Sequence, residues 1–400
     1  MIKPKSFRTI SVLLGLSLLL YLACKQPATD NTENKINKKP LKVIINEAEI
    51  MPYDSFSYPQ FDIIASYLSG VVPCDSISSM KEEFQSAGWK QFSKRFTAQW
   101  NNFHNRELSE VIDWTEENIE YKDSIFYPFS GPDFNYLNSF FPDAKFSLMI
   151  ALEPVGSIPD VSKIDDSKRM ALLEAMEKSL YFNLKCSFFR TFSMEDELSS
   201  DLLDGTIPLI LLFLKSHGYE ILNIYPIAIS ESGILHADTT ENMFAHETDK
   251  DFDNAAAFIY MNPSDSSIRE LVYMSLDISN KGITTDNLEP FLTNYISGNT
   301  VFLKAASYLC HKPPFNKIRD LMLNHAAQII SDPSGIHYDD YDESWDLSVH
   351  GQYVGPISLF GTRIQDNLKA ETKRLGNKNL PFRFGYHYTH WCLVDAQKRR

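Results

Sequence analysis

The sequence predicts a mixed α/β (α+β) body: a helical N-terminal lead-in, a Rossmann-like βαβ unit, then a β-rich segment and C-terminal helices. Three observations carry this reading. Over residues 60–120 apolar side chains recur three or four apart, the period of one face of a helix. Between 124 and 152 two short apolar runs flank a helical segment, which is the pattern of two parallel strands and their crossover. From Tyr219 four strand-like runs follow in close succession, a spacing that favours antiparallel hairpins.

Taken in order, Phe61, Ile63, Ile64 and Leu68 suit a short helix ended by Gly70, and a second pattern runs from Ser76 to Ala87. Trp89, Phe92, Phe96 and Trp100 form an aromatic stripe on a third helix, and Leu108, Val111, Ile112 and Ile119 mark a fourth. Ser124–Phe129 and Phe146–Leu152 are the two predicted parallel strands, with Phe134–Phe141 as the helix between them. Asp165–Leu184 is a long amphipathic helix, and Ile207–Leu214 begins another. Four strands are predicted within Ile221–Ile229, Gly233–His236, Ala255–Met261 and Arg269–Ile278. Leu288–Tyr295 reads as a short helix, and Val301–Leu309 fits helix and strand alike. Phe315–Ile330 reads as one helix (Ile318, Leu321, Met322, His325, Ile329), stopped by the Asp332-Pro333-Ser334-Gly335 turn. A helix near Arg363–Leu375 and a final strand near Phe382–Tyr388 complete the chain.

With 38 Lys+Arg against 52 Asp+Glu, the net charge of −14 argues against nucleic-acid binding, which needs cations to displace phosphate counterions. Hydrophobic residues at 44% exclude a disordered chain. Residues 41–400 are expected to form the globular body, with 41–217 and 218–400 as candidate subdomains.

The first 23 residues have a different character. Lys3, Lys5 and Arg8 precede a thirteen-residue apolar run, Ile10 to Leu22. That is shorter than the roughly 20 residues a bilayer core requires, and it suits a secretory signal. Leu22-Ala23-Cys24 resembles the processing site of a bacterial lipoprotein, with Tyr21 where that family usually has Leu. The resemblance implies lipidation of Cys24, membrane attachment through that lipid, and a place in the bacterial cell envelope, at the outer membrane or facing the periplasm. Residues 24–40, poor in apolar side chains, read as a lipid-anchored flexible tether. The other cysteines, Cys74, Cys186, Cys310 and Cys392, have no close spacing, which excludes a zinc ribbon. Small buried hydrophobes are favoured for them, and two disulfides stay open.

The candidate binding residues are Ser130, Gly131, Asp133 and Glu153. Each polar turn follows a predicted parallel strand, so they meet at the carboxyl edge, where open α/β sheets bind ligands. Asp133 is also placed to cap the helix starting at Phe134, a role favoured over catalysis. The segments YPFSGPD (127–133), LEPVG (152–156), DPSGI (332–336), Trp345, GQYVGPI (351–357) and Gly385-Tyr386 make the body similar to an uncharacterised bacterial family, which implies no reaction. The two-strand unit is also similar in outline to a class I methyltransferase, with Glu153 as the acid that would hold the cofactor ribose. Only Gly131 stands in its first turn, and Pro132 follows.

No metal site is expected. His387-Tyr388-Thr389-His390 lies in strand or loop context, which would separate the two imidazoles. The acidic run 339–343 lacks the glycine of a tight calcium loop. His236 and His246 have no G-x-S-x-G serine to pair with, and His311 and His325 read as core or surface residues. No cofactor is assignable. The expected function is a lipid-anchored envelope protein that binds a small molecule, glycan or protein partner. An envelope hydrolase or transferase using Asp133 and Glu153, and a degenerate methyltransferase-like scaffold, are the alternatives.

Overall fold

A computed structural model describes residues 58–73, 80–186, 204–237 and 254–399, with the side chains of 181–186 excepted. The leader, Cys24, the tether, Cys74 and His246 lie outside the described residues, as does the Cys186 side chain. The architecture is mixed α/β, three layers deep, with helices on both faces of a ten-stranded sheet.

The lead-in comprises α1 (Pro59–Leu68), α2 (Lys81–Gln85), α3 (Ala87–Phe103) and α4 (Ser109–Asn118). The Ser86 hydroxyl caps α3 by accepting from the Trp89 amide at 3.2 Å. A π turn, His104–Leu108, joins α3 to α4 without a break. Its widened ring sits where Glu107 is buried against Arg106 (3.0 Å) and Arg383 (3.4 Å). The predicted aromatic stripe, Trp89, Phe92, Phe96 and Trp100, is core.

β1 (Ser124–Pro128), α5 (Phe134–Phe140) and β2 (Phe146–Ala151) form the predicted βαβ unit. The strands are parallel, with Pro128 opposite Ile150. α6 (Asp166–Cys186) and α7 (Ile207–Ser216) follow, then β3 (Glu220–Ile229), β4 (Leu235–Ala237), β5 (Ala255–Met261) and β6 (Ile268–Ser275). Antiparallel pairing joins β3 to β4, β3 to β5 and β5 to β6, as their spacing predicts. α8 (Asn280–Thr285), α9 (Glu289–Ile296), β7 (Thr300–Leu303), α10 (Asn316–His325), β8 (Gln328–Ser331), β9 (Trp345–Gly351), α11 (Asp366–Arg374) and β10 (Cys392–Lys398) complete the chain.

The sheet order is β4-β3-β5-β6-β2-β1-β7-β8-β10-β9. Strands β6, β2, β1, β7 and β8 are mutually parallel. β10 runs antiparallel between β8 and β9. The chain winds outward from β1 through β2 in one direction and through β7 and β8 in the other, so a topological switch point lies between β1 and β7. Strands from before and after residue 218 interleave in this sheet. Alternation along β1 shows how both faces fill. Ile125 and Tyr127 join the core under α1–α7, while Phe126 joins the core under α8–α10.

Two expectations are corrected. Phe315–Ile330 is not one helix: α10 ends at His325, Ala326 is extended, and Gln328–Ser331 pairs in parallel with β7. Ile329, which fitted the helical stripe, is a strand residue, because pairing with β7 buries the whole Gln328–Ser331 run. Phe382–Tyr388 is no strand. Phe382 and Phe384 are buried in the core, and Gly385 at φ +80° turns the backbone away from any ladder. The late strands are instead β9 and β10.

Candidate functional site

Three successive parallel strands of the switch region each end in a polar turn. β1 is followed by Phe129, at φ 59°, and by Gly131, at φ 55°. The Ser130 amide and hydroxyl both donate to the Ile150 carbonyl, at 3.0 and 3.3 Å, which ties this turn to β2. Asp133 stands at the N-cap position of α5, yet its side chain makes no capping hydrogen bond. This corrects the capping expectation. Lys304, directly after β7, places its ammonium 2.5 Å from Asp133 Oδ2, and the Tyr127 hydroxyl donates to the same oxygen at 3.1 Å. Ion pairing with a buried ammonium outweighs the modest gain of a cap. Both Asp133 and Lys304 are 2% exposed. The Lys304 ammonium also lies 3.9 Å over the Tyr136 ring.

Asp332, directly after β8, organises the next turn. Its Oδ1 accepts from the Ala305 amide (3.2 Å) and the Ser334 hydroxyl (2.6 Å). Ser334 Oγ in turn accepts from the Ala306 amide at 2.8 Å. These contacts hold Ala305, Ser307 and Tyr308 in left-handed backbone, φ 52–54°, a conformation that side chains other than glycine rarely adopt. The Tyr386 hydroxyl donates to the Ala305 carbonyl and lies 2.5 Å from Ser307 Oγ. Gly385 is required beside it: a Cβ there would stand 2.3 Å from Asp332 Oδ2. Burial pushes the Asp332 carboxyl up to about 6, against the opposing pull of the Ser334 hydrogen bond and the Lys304 charge. Burial likewise lifts the Tyr386 phenol to about 12, so it is a neutral hydroxyl at physiological pH.

Glu153, at the end of β2, is buried, and its carbonyl accepts from the Tyr273 hydroxyl at 3.2 Å. The turn it opens is a crossing of two backbones. Val155 O accepts from the Thr206 and Ile207 amides, and a Cβ on Gly156 would fall 1.9 Å from the Asp204 carbonyl. LEPVG therefore seats the start of α7.

The parallel register thus brings Ser130, Gly131, Asp133 and Glu153 to the carboxyl edge of β1 and β2, as expected, but as its buried floor. Half-buried at the lip are Phe129, Ser307, Tyr386 and His387. Sequence pattern does not single out Lys304, Ser307 or Tyr308, which lie in a segment that fits helix and strand alike. Asp332, Ser334 and Tyr386 stand in the DPSGI and Gly385-Tyr386 segments, whose pattern alone assigns them no role.

His387 Nε2 lies 2.5 Å from the Gly355 carbonyl, and His390 Nδ1 lies 2.8 Å from the Thr389 hydroxyl, so this pair is spent on local contacts. Among the described residues no group of three or more His, Cys, Asp or Glu is placed to hold a metal ion. Cys310 and Cys392 are free, buried thiols, and burial pushes both above the ordinary thiol range. Among the described residues no helix is long and apolar enough to cross a membrane. No protein-family model matches the chain, and no curated protein is detectably similar to it.

Proposed function

We propose that this chain is a lipid-anchored cell-envelope protein whose carboxyl-edge loops bind a small molecule, glycan or protein partner. One observation carries the binding half. The Asp133–Lys304 ion pair and the Asp332 hydrogen bonds lock the turns after β1, β7 and β8 at the switch point. Rigid, strained loops on a parallel sheet are the arrangement in which α/β proteins preorganise a ligand site. The buried residues act as the floor, and Ser307, Tyr386 and Phe129 are the contacts offered to a ligand. The anchored half rests on the Leu22-Ala23-Cys24 pattern and the tether behind it.

The acid/base reading of Asp133 and Glu153 has less support, because Lys304 already neutralises Asp133. A methyltransferase-like framework suits the switch point, but an ammonium and a carboxylate pack the first turn where a cofactor needs open glycines.

Two experiments test the reading. A panel of metabolites and cell-wall glycan fragments is screened by thermal shift against the wild type, Ser307→Ala and Tyr386→Phe. Hits weakened by either variant place the ligand at this lip; hits indifferent to both put it elsewhere. Cell fractionation with intact mass tests the anchor. The wild type should sit in the membrane fraction carrying acyl mass, and Cys24→Ser should be released. A soluble wild type with Met1 retained removes the envelope assignment.

A further inference from the structure

Beyond Tyr308, the β7 loop runs into a cluster of basic side chains drawn from separate segments. His311 ends the 3-10 turn Leu309–His311, Arg319 lies on α10, His337 follows β8, and Arg363 precedes α11. All four are half-buried. The His311 and His337 rings are 5.2 Å apart, and the Tyr308 ring meets His311 edge-on at 5.0 Å. Arg363 donates through Nη1 to the His311 carbonyl at 3.2 Å. His311 Nε2 is buried and has no hydrogen-bond partner among the described residues. Buried polar atoms are nearly always satisfied, so this nitrogen points to a group that the chain does not supply.

The charges around the cluster decide what that group is. Asp320 takes Arg319 through Nε and Nη2, at 3.1 and 3.0 Å, and Asp340 lies 3.7 Å from Arg319 Nη1. Asp339 lies 3.9 Å from His337 Nδ1. Arg363 meets no carboxylate among the described residues, so most of its fork is open to an incoming acceptor. Burial, then His337, Arg363 and Arg319, depress the His311 imidazolium to about 3. A metal ion fits poorly. His337 Nδ1 accepts from the Asp339 amide at 3.1 Å, so its Nε2 carries the proton and donates. A guanidinium fork beside an imidazole N–H is a donor set for an oxyanion.

We propose that Arg363, His337 and His311 form a subsite for the oxyanion group, carboxylate or phosphate, of the ligand held by the carboxyl-edge loops. This rests on the binding function proposed above and names the chemistry of its ligand. Arg363 and His337 make the first contacts, and the His311 ring, 5.2 Å from that of His337, supplies the third group. Phe360, 5.0 Å from the Tyr308 ring and 5.3 Å from the Tyr386 ring, connects this corner to the Ser307/Tyr386 lip. The body of the ligand lies across that aromatic shelf.

The test is calorimetric titration of the full chain in detergent with inorganic phosphate and, separately, succinate, at fixed ionic strength. Saturable binding of one of them is expected. Arg363→Gln and His311→Gln should each weaken it roughly tenfold or more, with folding verified by circular dichroism. Binding by phosphate alone assigns a phosphate ester, and binding by succinate alone assigns a carboxylate. Arg363→Lys, which keeps the charge, covers a failure of Arg363→Gln to fold and should retain part of the affinity. Failure of both anions to saturate, or equal affinity in wild type and the glutamine variants, overturns the subsite. If both anions fail while a neutral compound binds in a Ser307- or Tyr386-dependent way, the subsite falls and the carboxyl-edge binding function stands.

Discussion

At Lys304 an ammonium is removed from water and given the Asp133 carboxylate, the Tyr136 ring and almost no solvent. Breaking such a pair leaves one buried charge unmatched, which costs about 3–5 kcal/mol. Lys304→Met and Asp133→Leu should each lose that much in urea unfolding, and the double variant should lose less than the two together. Additive losses would show that the pair is not coupled. Glu270 on β6 presents the opposite case, a buried carboxyl met by the Tyr225 hydroxyl and, among the described residues, by no cation. Burial pushes it up to about 7, and the hydrogen bond from Tyr225 (3.4 Å) pulls only weakly against that. Its folded value lies above the unfolded one, so the folded state holds the proton more tightly. Stability should therefore rise as pH falls from 7 towards 4.5, by at most about 3 kcal/mol, and that contribution is absent above pH 7. Glu270→Gln should flatten this dependence and stabilise the chain at pH 8, measured as unfolding midpoints at pH 5 and pH 8.

Elements are held here by close backbone crossings as much as by helix packing. The turn after β2 and the segment before α7 meet at Gly156 and Gly205, where each Cα occupies the space of the other's Cβ. Gly156→Ala, at φ +74° and with 1.9 Å to the Asp204 carbonyl, should lower thermal stability by at least 3 kcal/mol, because backbone and not a flexible side chain must move. A shift below 1 kcal/mol would mean that the crossing opens freely. Much at this scale was legible in the sequence. The apolar runs 124–129 and 146–152 announce β1 and β2 because both faces of a central parallel strand are buried. The periodicity of 89–103 announces α3 because one face of it meets the core. β8 is hidden in the sequence, since Ile329 continues the apolar stripe of α10. Lys304 was hidden too, because nothing adjacent in sequence marks it. It reaches Asp133 only through the pairing of β7 with β1, across 171 residues of chain.

Across the whole molecule one sheet carries both the switch point and the late antiparallel strands. Val394 on β10 faces Ser331 of β8 on one side and Val349 of β9 on the other. Val394→Pro removes a ladder donor from an interior strand, so it should lower the urea midpoint strongly and strip β9 of its protection in hydrogen exchange. Retained protection of 345–351 would show that β9 is held by α11 alone. The position of β10 also governs how the chain assembles. Residues 345–351 emerge before 392–398, yet β9 reaches the sheet only through β10. Until residues 392–398 are in place, β8 shows a bare edge and β9 waits with no neighbour in the sheet.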